Sequence, residues 1–174
     1  MDRDGVIVED VHYLTETSQL TIVPGAADAI KLLVSQYYVI VVTNQSGIGR
    51  GYITENDLLD IHTELLNQLW QVGAKLDGLY YCPHHPTMAY GPYKVVCDCR
   101  KPNPGMLIQA AARWNFDLTS SFLIGDHESD MEAAIAVGVR PFLINGGSFI
   151  KTPSATPVSN LLQAADIILN ETIE

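Results

Sequence analysis

The sequence predicts an α/β fold, a doubly wound parallel sheet with helices on both faces. Short β-branched runs alternate with segments of helical periodicity, which is typical of parallel strands joined by crossover helices. Polar residues directly follow several of these runs, at the strand ends where such sheets bind ligands. With 47% hydrophobic and 17% charged residues, a chain of 174 residues suffices for a sizeable core. We therefore expect a single domain over residues 1–174.

Ten elements are predicted from apolar periodicity and local end signals. The predicted helices are 26–36, 54–72, 104–114, 128–137 and 158–164, and the predicted strands are 38–43, 76–81, 121–125, 140–145 and 166–169. Thr54 suits a helix N-cap, Asp57 suits the first turn that follows, and Pro104 suits the start of the third helix. Gly138 ends the fourth helix, and residues 146–148 form a glycine-rich loop.

Two carboxylates stand one residue apart at the start of the chain. If this segment leaves a strand, alternation places Asp2 and Asp4 on the same side. Their repulsion is relieved by a hard divalent cation or by protonation of one member, and Gly5 lets the backbone turn sharply after them. A nucleophilic carboxylate beside a carboxylic acid of raised pKa suits phosphoryl transfer. The alternative is a charged N-terminus without chemistry.

Only Met1 stands before Asp2, although a strand of a parallel sheet needs about five residues. Either the natural chain begins upstream of this methionine, or the central strand is missing here. The sequence leaves both alternatives open.

A segment rich in cysteine, histidine and proline, residues 82–103, is called here the Cys/His loop. Three thiolates and one imidazole in a Cys-x-His…Cys-x-Cys pattern match a closed tetrahedral zinc site, formed by Cys82, His84, Cys97 and Cys99. His85 is the rival histidine ligand. A site without an open position predicts a structural zinc that holds an otherwise irregular loop.

Three further motifs follow predicted strands or the Cys/His loop. The Thr43–Gly49 segment offers a hydroxyl and backbone N–H groups that suit a phosphate, or is only a solvated loop. Lys101 would neutralise phosphate charge, unless it is an ordinary surface lysine. Asp126 would complete an oxygen-rich Mg²⁺ site with Asp2, and Asp130 would orient Lys101. The alternative is that Asp126 or Ser129 only caps the helix.

Composition and net charge limit the classes of partner and the compartment that we expect for this protein. A formal charge of -10 argues against nucleic acid. Four of the ten cations lie in the motifs, which favours one anion pocket: Arg3, Arg50, Arg100 and Lys101. No apolar run approaches the ~20 residues of a membrane span, and no signal peptide precedes Asp2. Three cysteines without a secretion signal indicate a reducing compartment. We expect a cytoplasmic monomer without membrane or nucleic-acid partners.

The order of the motifs is more specific than any one of them. Asp-x-Asp-Gly, strand-Thr-Asn, Lys-Pro and Gly-Asp-x-x-x-Asp in this order resemble the haloacid dehalogenase (HAD) superfamily of phosphohydrolases. The Cys-Pro-His-His-Pro…Cys-Asp-Cys-Arg-Lys-Pro run is similar to the heptose-bisphosphate phosphatase family, with the histidinol-phosphate phosphatases as close relatives. The resemblance covers about residues 2–145 and implies a HAD-like Rossmannoid sheet without a large cap domain. A shorter loop in the histidinol enzymes favours the heptose family.

The resemblance also implies roles for residues that match the motifs. It implies that Asp2 is the nucleophile and that Asp4 acts first as the general acid and then as the general base. Mg²⁺ would be held by Asp2, the Asp4 carbonyl and Asp126; Thr43, Asn44 and Lys101 would bind the transferring phosphoryl group; Gln45, Arg50 and Arg100 would contact the rest of the sugar bisphosphate.

The expected reaction is removal of the 7-phosphate of D-glycero-D-manno-heptose 1,7-bisphosphate, in the synthesis of lipopolysaccharide precursors. His127 stands where this family usually has lysine, and it would be mostly neutral at pH 7 at its reference pKa. The rival functions are a histidinol-phosphate phosphatase and a non-catalytic, zinc-stabilised binding protein.

Overall fold

A computed structural model of the chain describes residues 1–144 and 152–171. The strands are β1 Ile40–Asn44, β2 Gly78–Cys82, β3 Phe122–Gly125, β4 Arg140–Ile144 and β5 Thr156–Val158. The helices are α1 Ala26–Leu33, α2 Glu55–Gln71, α3 Gly105–Trp114, α4 Glu128–Ile135 and α5 Leu161–Glu171, with 3-10 helices at Thr17–Gln19, Gly91–Tyr93 and Leu118–Ser120. Within the described ranges, no helix is both long enough and apolar enough to span a membrane.

All strand pairs are parallel, and the N-terminal residues join two short sheets. One sheet has the order β1-β2 and the other the order β3-β4-β5. Met1 lies between them, because its carbonyl accepts from the Val42 N–H at 2.9 Å. The Asp2 N–H donates to the Ile124 carbonyl at 2.9 Å. The two residues therefore connect β1 and β3, and an apolar cavity of about 270 Å³ lies beside Met1 between those strands.

The helices cover both faces of this layer. Helices α1, α2 and α5 build one core together with Val41 and Ile124. Helices α3 and α4 build the opposite core with Val42 and Leu123. Successive strand residues point to opposite faces, so each strand feeds both cores and appears in the sequence as a continuous apolar run. The predicted doubly wound fold is confirmed.

The C-terminal prediction was wrong in part. Residues 166–169 were predicted as a strand but lie within α5, and β5 precedes that helix. The buried residues of α5 are Leu161, Ala164, Ala165 and Ile168, a spacing of three and four that gives one helix face. This face packs against α1, which outweighs the strand preference of the short apolar run. The predicted loop at 146–148 lies outside the described residues.

Candidate active site

The predicted site residues meet at one edge of the sheet. Thr43 and Asn44 end β1, and Asp126 directly follows β3. Asp2 lies between these two strands, and Lys101 reaches the same place from the Cys/His loop. Because all strands run parallel, their carboxyl ends share one edge, which is where ligands bind in such sheets.

Lys101 is the centre of a buried charge cluster. Its side chain is 1% exposed, and its Nζ lies 2.9 Å from Asp2 Oδ2 and 2.5 Å from Asp130 Oδ1. The Nζ also donates to the Val42 carbonyl at 2.8 Å. Burial alone would lower the pKa of Lys101, but the Asp2 and Asp130 carboxylates outweigh burial and raise it. The ammonium is therefore held charged beside Asp2, and Lys101 is not the solvated surface lysine of the alternative interpretation.

Asn44 contacts the main chain of Lys101. Its Nδ2 donates to the Lys101 carbonyl at 3.0 Å, and its Oδ1 accepts from the Lys101 N–H at 3.1 Å. The sequence predicted that Asn44 binds the phosphoryl group, but both ends of its amide are used within the protein. In this arrangement its side chain fixes the backbone that carries Lys101.

Asp4 belongs to a second polar cluster. The residues around it form single-residue bridges instead of a strand, so the strand alternation assumed for Asp2 and Asp4 does not apply. Arg3 Nε and Nη2 each donate to one Asp4 oxygen at 2.9 Å. Gln45 Nε2 lies 2.8 Å from Asp4 Oδ2 and 2.9 Å from Thr43 Oγ1. Burial raises the pKa of Asp4, against the opposing effect of the Arg3 guanidinium.

Arg3 differs from the anion-pocket prediction. Its side chain is 1% exposed and pairs with Asp4, so this cation is not open to a substrate phosphate. Its Nη1 lies 3.1 Å from Nε2 of His62, a buried residue of α2. Sequence reasoning missed His62, although a histidine beside the apolar positions Ile61 and Leu65 of a helix was a signal. Gln45 Nε2 contacts Asp4 and Thr43, and its contact with substrate stays a prediction.

The Asp126 carboxylate lies against the N-terminal turn. A methyl group on Gly5, which has a φ of +70°, would collide with the Asp126 side chain. The oxygens or nitrogens of Asp126, His127 and Asp130 lie within 4.8 Å of one another. The Asp2 carboxylate faces Lys101. The carboxylate oxygens of Asp126, which lie against Gly5, are of the type that a hard cation prefers.

His127 does not keep the reference pKa on which its expected charge depended. Its Nδ1 lies 2.7 Å from Asp126 Oδ1, and this hydrogen bond raises the pKa of His127 to about 9. The side chain is therefore mostly positive at pH 7, although sequence reasoning with the reference pKa made it mostly neutral. A cation thus stands at this position, as it would with lysine.

The four predicted zinc ligands lie together. His84 Nδ1 is 3.2 Å from Cys99 Sγ, and Cys82 Sγ is 3.1 Å from Cys99 Sγ and 3.6 Å from Cys97 Sγ. These separations suit four donors around one ion, which fits the thiolate and imidazole chemistry of zinc. His85 points elsewhere, because its Nδ1 accepts from the Thr87 and Met88 N–H groups.

Two arginines flank the site. Arg100 Nη1 donates to the His84 carbonyl at 3.1 Å, which ties it to the Cys/His loop. The Arg50 guanidinium lies 5.7 Å from the ring centre of Tyr13. Its Nε is buried and has no hydrogen-bond partner among the described residues.

The chain is similar to two bacterial phosphatases. The D-glycero-beta-D-manno-heptose-1,7-bisphosphate 7-phosphatase of Rhodopseudomonas palustris is 44% identical over 147 residues, which cover 84% of this chain and 82% of that protein. The protein of the same name from Escherichia coli (strain K12) is 40% identical over 175 residues, with 98% and 86% covered.

A family model and a solved structure agree with these relatives. Residues 98–167 match the family described as HAD-hydrolase-like. The crystal structure of D,D-heptose 1,7-bisphosphate phosphatase from B. bronchiseptica, complexed with magnesium and phosphate, has a TM-score of 0.84 and 31% identity, and covers 98% of this chain and 96% of that one. The chain therefore belongs to the D-glycero-beta-D-manno-heptose-1,7-bisphosphate 7-phosphatase family of the HAD superfamily.

Proposed function

We propose that this protein removes the 7-phosphate of D-glycero-beta-D-manno-heptose 1,7-bisphosphate, as the names of its relatives state for them. The single observation that carries the proposal is the buried Lys101 ammonium held beside the Asp2 carboxylate at the sheet edge. A nucleophile and a fixed cation are what phosphoryl transfer requires. The histidinol-phosphate and non-catalytic alternatives are not favoured by the relatives.

The reaction proceeds in two displacements. An Asp2 oxygen attacks phosphorus, the bond from phosphorus to the sugar oxygen breaks, and Asp4 gives its proton to that oxygen. Asp4 then takes a proton from water, which attacks the phosphoaspartate and releases phosphate and free Asp2. A raised pKa suits Asp4 to this exchange of a proton. Lys101 faces the charge that develops on the phosphoryl oxygens.

We assign the remaining residues as follows. Mg²⁺ would be held by Asp2, the Asp4 carbonyl and Asp126, and when bound it would offset the charge between the carboxylates and the phosphate. The close approach of the Asp126 carboxylate to Gly5, beside Asp4, supports this assignment. Thr43 lies in the buried Asp4 cluster, and Asp130 orients Lys101. Arg50 and Arg100 are the candidates for contact with the rest of the substrate.

One zinc per chain, bound by Cys82, His84, Cys97 and Cys99, would hold the Cys/His loop that carries Lys101. We also propose a monomeric, cytoplasmic enzyme of one domain, whose cysteines remain reduced in such a compartment. Elemental analysis of purified protein tests the zinc, and gel filtration at several protein concentrations tests the oligomeric state.

The deciding experiment measures phosphate release from both anomers of the heptose bisphosphate, with and without Mg²⁺. We expect Mg²⁺-dependent release that leaves the 1-phosphate in place, with the beta anomer preferred. Asp2→Asn should abolish turnover while the unfolding curve stays close to that of the parent. Faster release from histidinol phosphate than from the heptose would assign the rival function. Turnover retained in Asp2→Asn would exclude Asp2 as the nucleophile.

A further inference from the structure

A buried pair behind Asp4 has no part in the roles given above. Arg3 is among the largest fully buried side chains of the protein, and His62 is 7% exposed. The two residues lie 59 positions apart in the chain, and they meet because α2 packs over the N-terminal segment. Both side chains are too buried to contact a substrate directly. Any contribution that they make to the reaction must therefore act through another group.

The contact between them has a defined direction. An arginine guanidinium only donates hydrogen bonds, so His62 Nε2 must accept from Arg3 Nη1 across the 3.1 Å separation. A nitrogen that accepts carries no proton, which places the single proton of the neutral imidazole on Nδ1. The remaining guanidinium donors, Nε and Nη2, then both face the Asp4 carboxylate.

These contacts fix the orientation of the Asp4 carboxylate. A bidentate contact sets both the position and the plane of a carboxylate, unlike a single hydrogen bond. Gln45 holds one of the same oxygens from the side of β1. We infer that His62 and Arg3 are positioning residues: His62 orients the Arg3 guanidinium, which holds the Asp4 carboxylate in the orientation needed for proton transfer.

The inference rests on the proposed function of Asp4, and one variant pair tests it. His62→Phe keeps a ring but removes the acceptor, whereas His62→Gln replaces Nε2 with an amide oxygen that can accept from Arg3. We expect His62→Phe to lower kcat by about 10-fold to 100-fold with KM changed less than about 3-fold, because misplaced catalytic groups slow the chemical step. His62→Gln should recover most of that loss.

The matched control is Thr63→Ala. Thr63 neighbours His62 on α2, but it is exposed and its hydroxyl donates to the Leu59 carbonyl. Its kcat should equal that of the parent. Equal loss in the Phe and Gln variants would point to packing alone, and an unchanged kcat in His62→Phe would overturn the inference.

A spectroscopic measurement separates this inference from the proposed function. Nitrogen-15 chemical shifts of the histidine rings, assigned by loss of one signal in His62→Gln, report which ring nitrogen carries the proton. We expect His62 as the Nδ1–H form at neutral pH, and an Nε2–H or doubly protonated ring would contradict the inference. If the parent does not hydrolyse the heptose bisphosphate, the proposed function fails, while this spectrum still tests the pair.

Discussion

Burial of His62 should make the stability of the protein depend on pH. Burial, aided by the charge of Arg3, lowers the pKa of His62 from 6.5 to about 3. Arg3 from the N-terminal segment and Tyr81 from β2 face the ring, and neither is a carboxyl group. The unfolded chain therefore takes up a proton below pH 6.5 that the folded chain does not. His62 thus contributes stability above pH 6.5, and this stability is lost as the pH falls toward 3.

The size of the effect follows from the shift. Each pKa unit corresponds to about 1.4 kcal/mol. Between roughly pH 7 and pH 4, the linkage relation gives a loss of about 3 kcal/mol in the free energy of unfolding. His62→Gln removes the titrating group. As the pH falls from roughly 7 to 4, the free energy of unfolding of this variant should therefore rise by about 3 kcal/mol relative to that of the parent.

Urea unfolding of the parent and His62→Gln across this pH range measures the difference directly. Because both proteins share all other titrating groups, their common pH dependence cancels. Thr63→Ala should keep a constant difference from the parent. A difference between His62→Gln and the parent that does not change with pH would refute the assignment of a buried, neutral His62.

Three further predictions concern the site and the Cys/His loop. Replacement of Cys97 and Cys99 by serine should release the bound metal and lower the free energy of unfolding by about 2.7 kcal/mol where free zinc is 100-fold above its dissociation constant; elemental analysis and urea unfolding check this. Lys101→Met should cost about 3 kcal/mol or more by leaving buried carboxylates unpaired, and should abolish turnover; unchanged stability would contradict the geometry. In Gly5→Ala, the new methyl group would collide with Asp126, and the positive φ at this position would cost about 1 kcal/mol. We therefore expect weaker activation by Mg²⁺, which a Mg²⁺ titration of activity measures.

Much of the architecture could be predicted because it rests on local chemistry. Buried parallel strands are apolar on both faces, so β1 and β3 appear as continuous runs with polar residues at their carboxyl ends. The cap of α2 could also be predicted, since Thr54 and Asp57 exchange hydrogen bonds within one turn. Spacing likewise indicated the Cys/His group, because all three cysteines fall between the end of β2 and the start of α3.

Several features could not be predicted, because they depend on tertiary contacts and side-chain orientations. The apolar run at 166–169 became helical because α1 offers it a packing face. The amide of Asn44 meets Lys101 57 residues away, which no local pattern signals. The charge of His127 depends on the orientation of the Asp126 side chain, which a reference pKa ignores.

The sequence by itself determined the fold class, the order of the motifs and the set of groups available for phosphoryl transfer, because periodicity and residue chemistry are properties of the chain. Only the tertiary structure decided which groups are buried together. Packing of α2 over the N-terminal segment brings His62 against Arg3 Nη1, while Arg3 Nε donates to the Asp4 carboxylate. Folding in turn sets these pKa values: burial raises the pKa of Asp4, whereas the Asp2 and Asp130 carboxylates raise the pKa of Lys101 against the effect of burial.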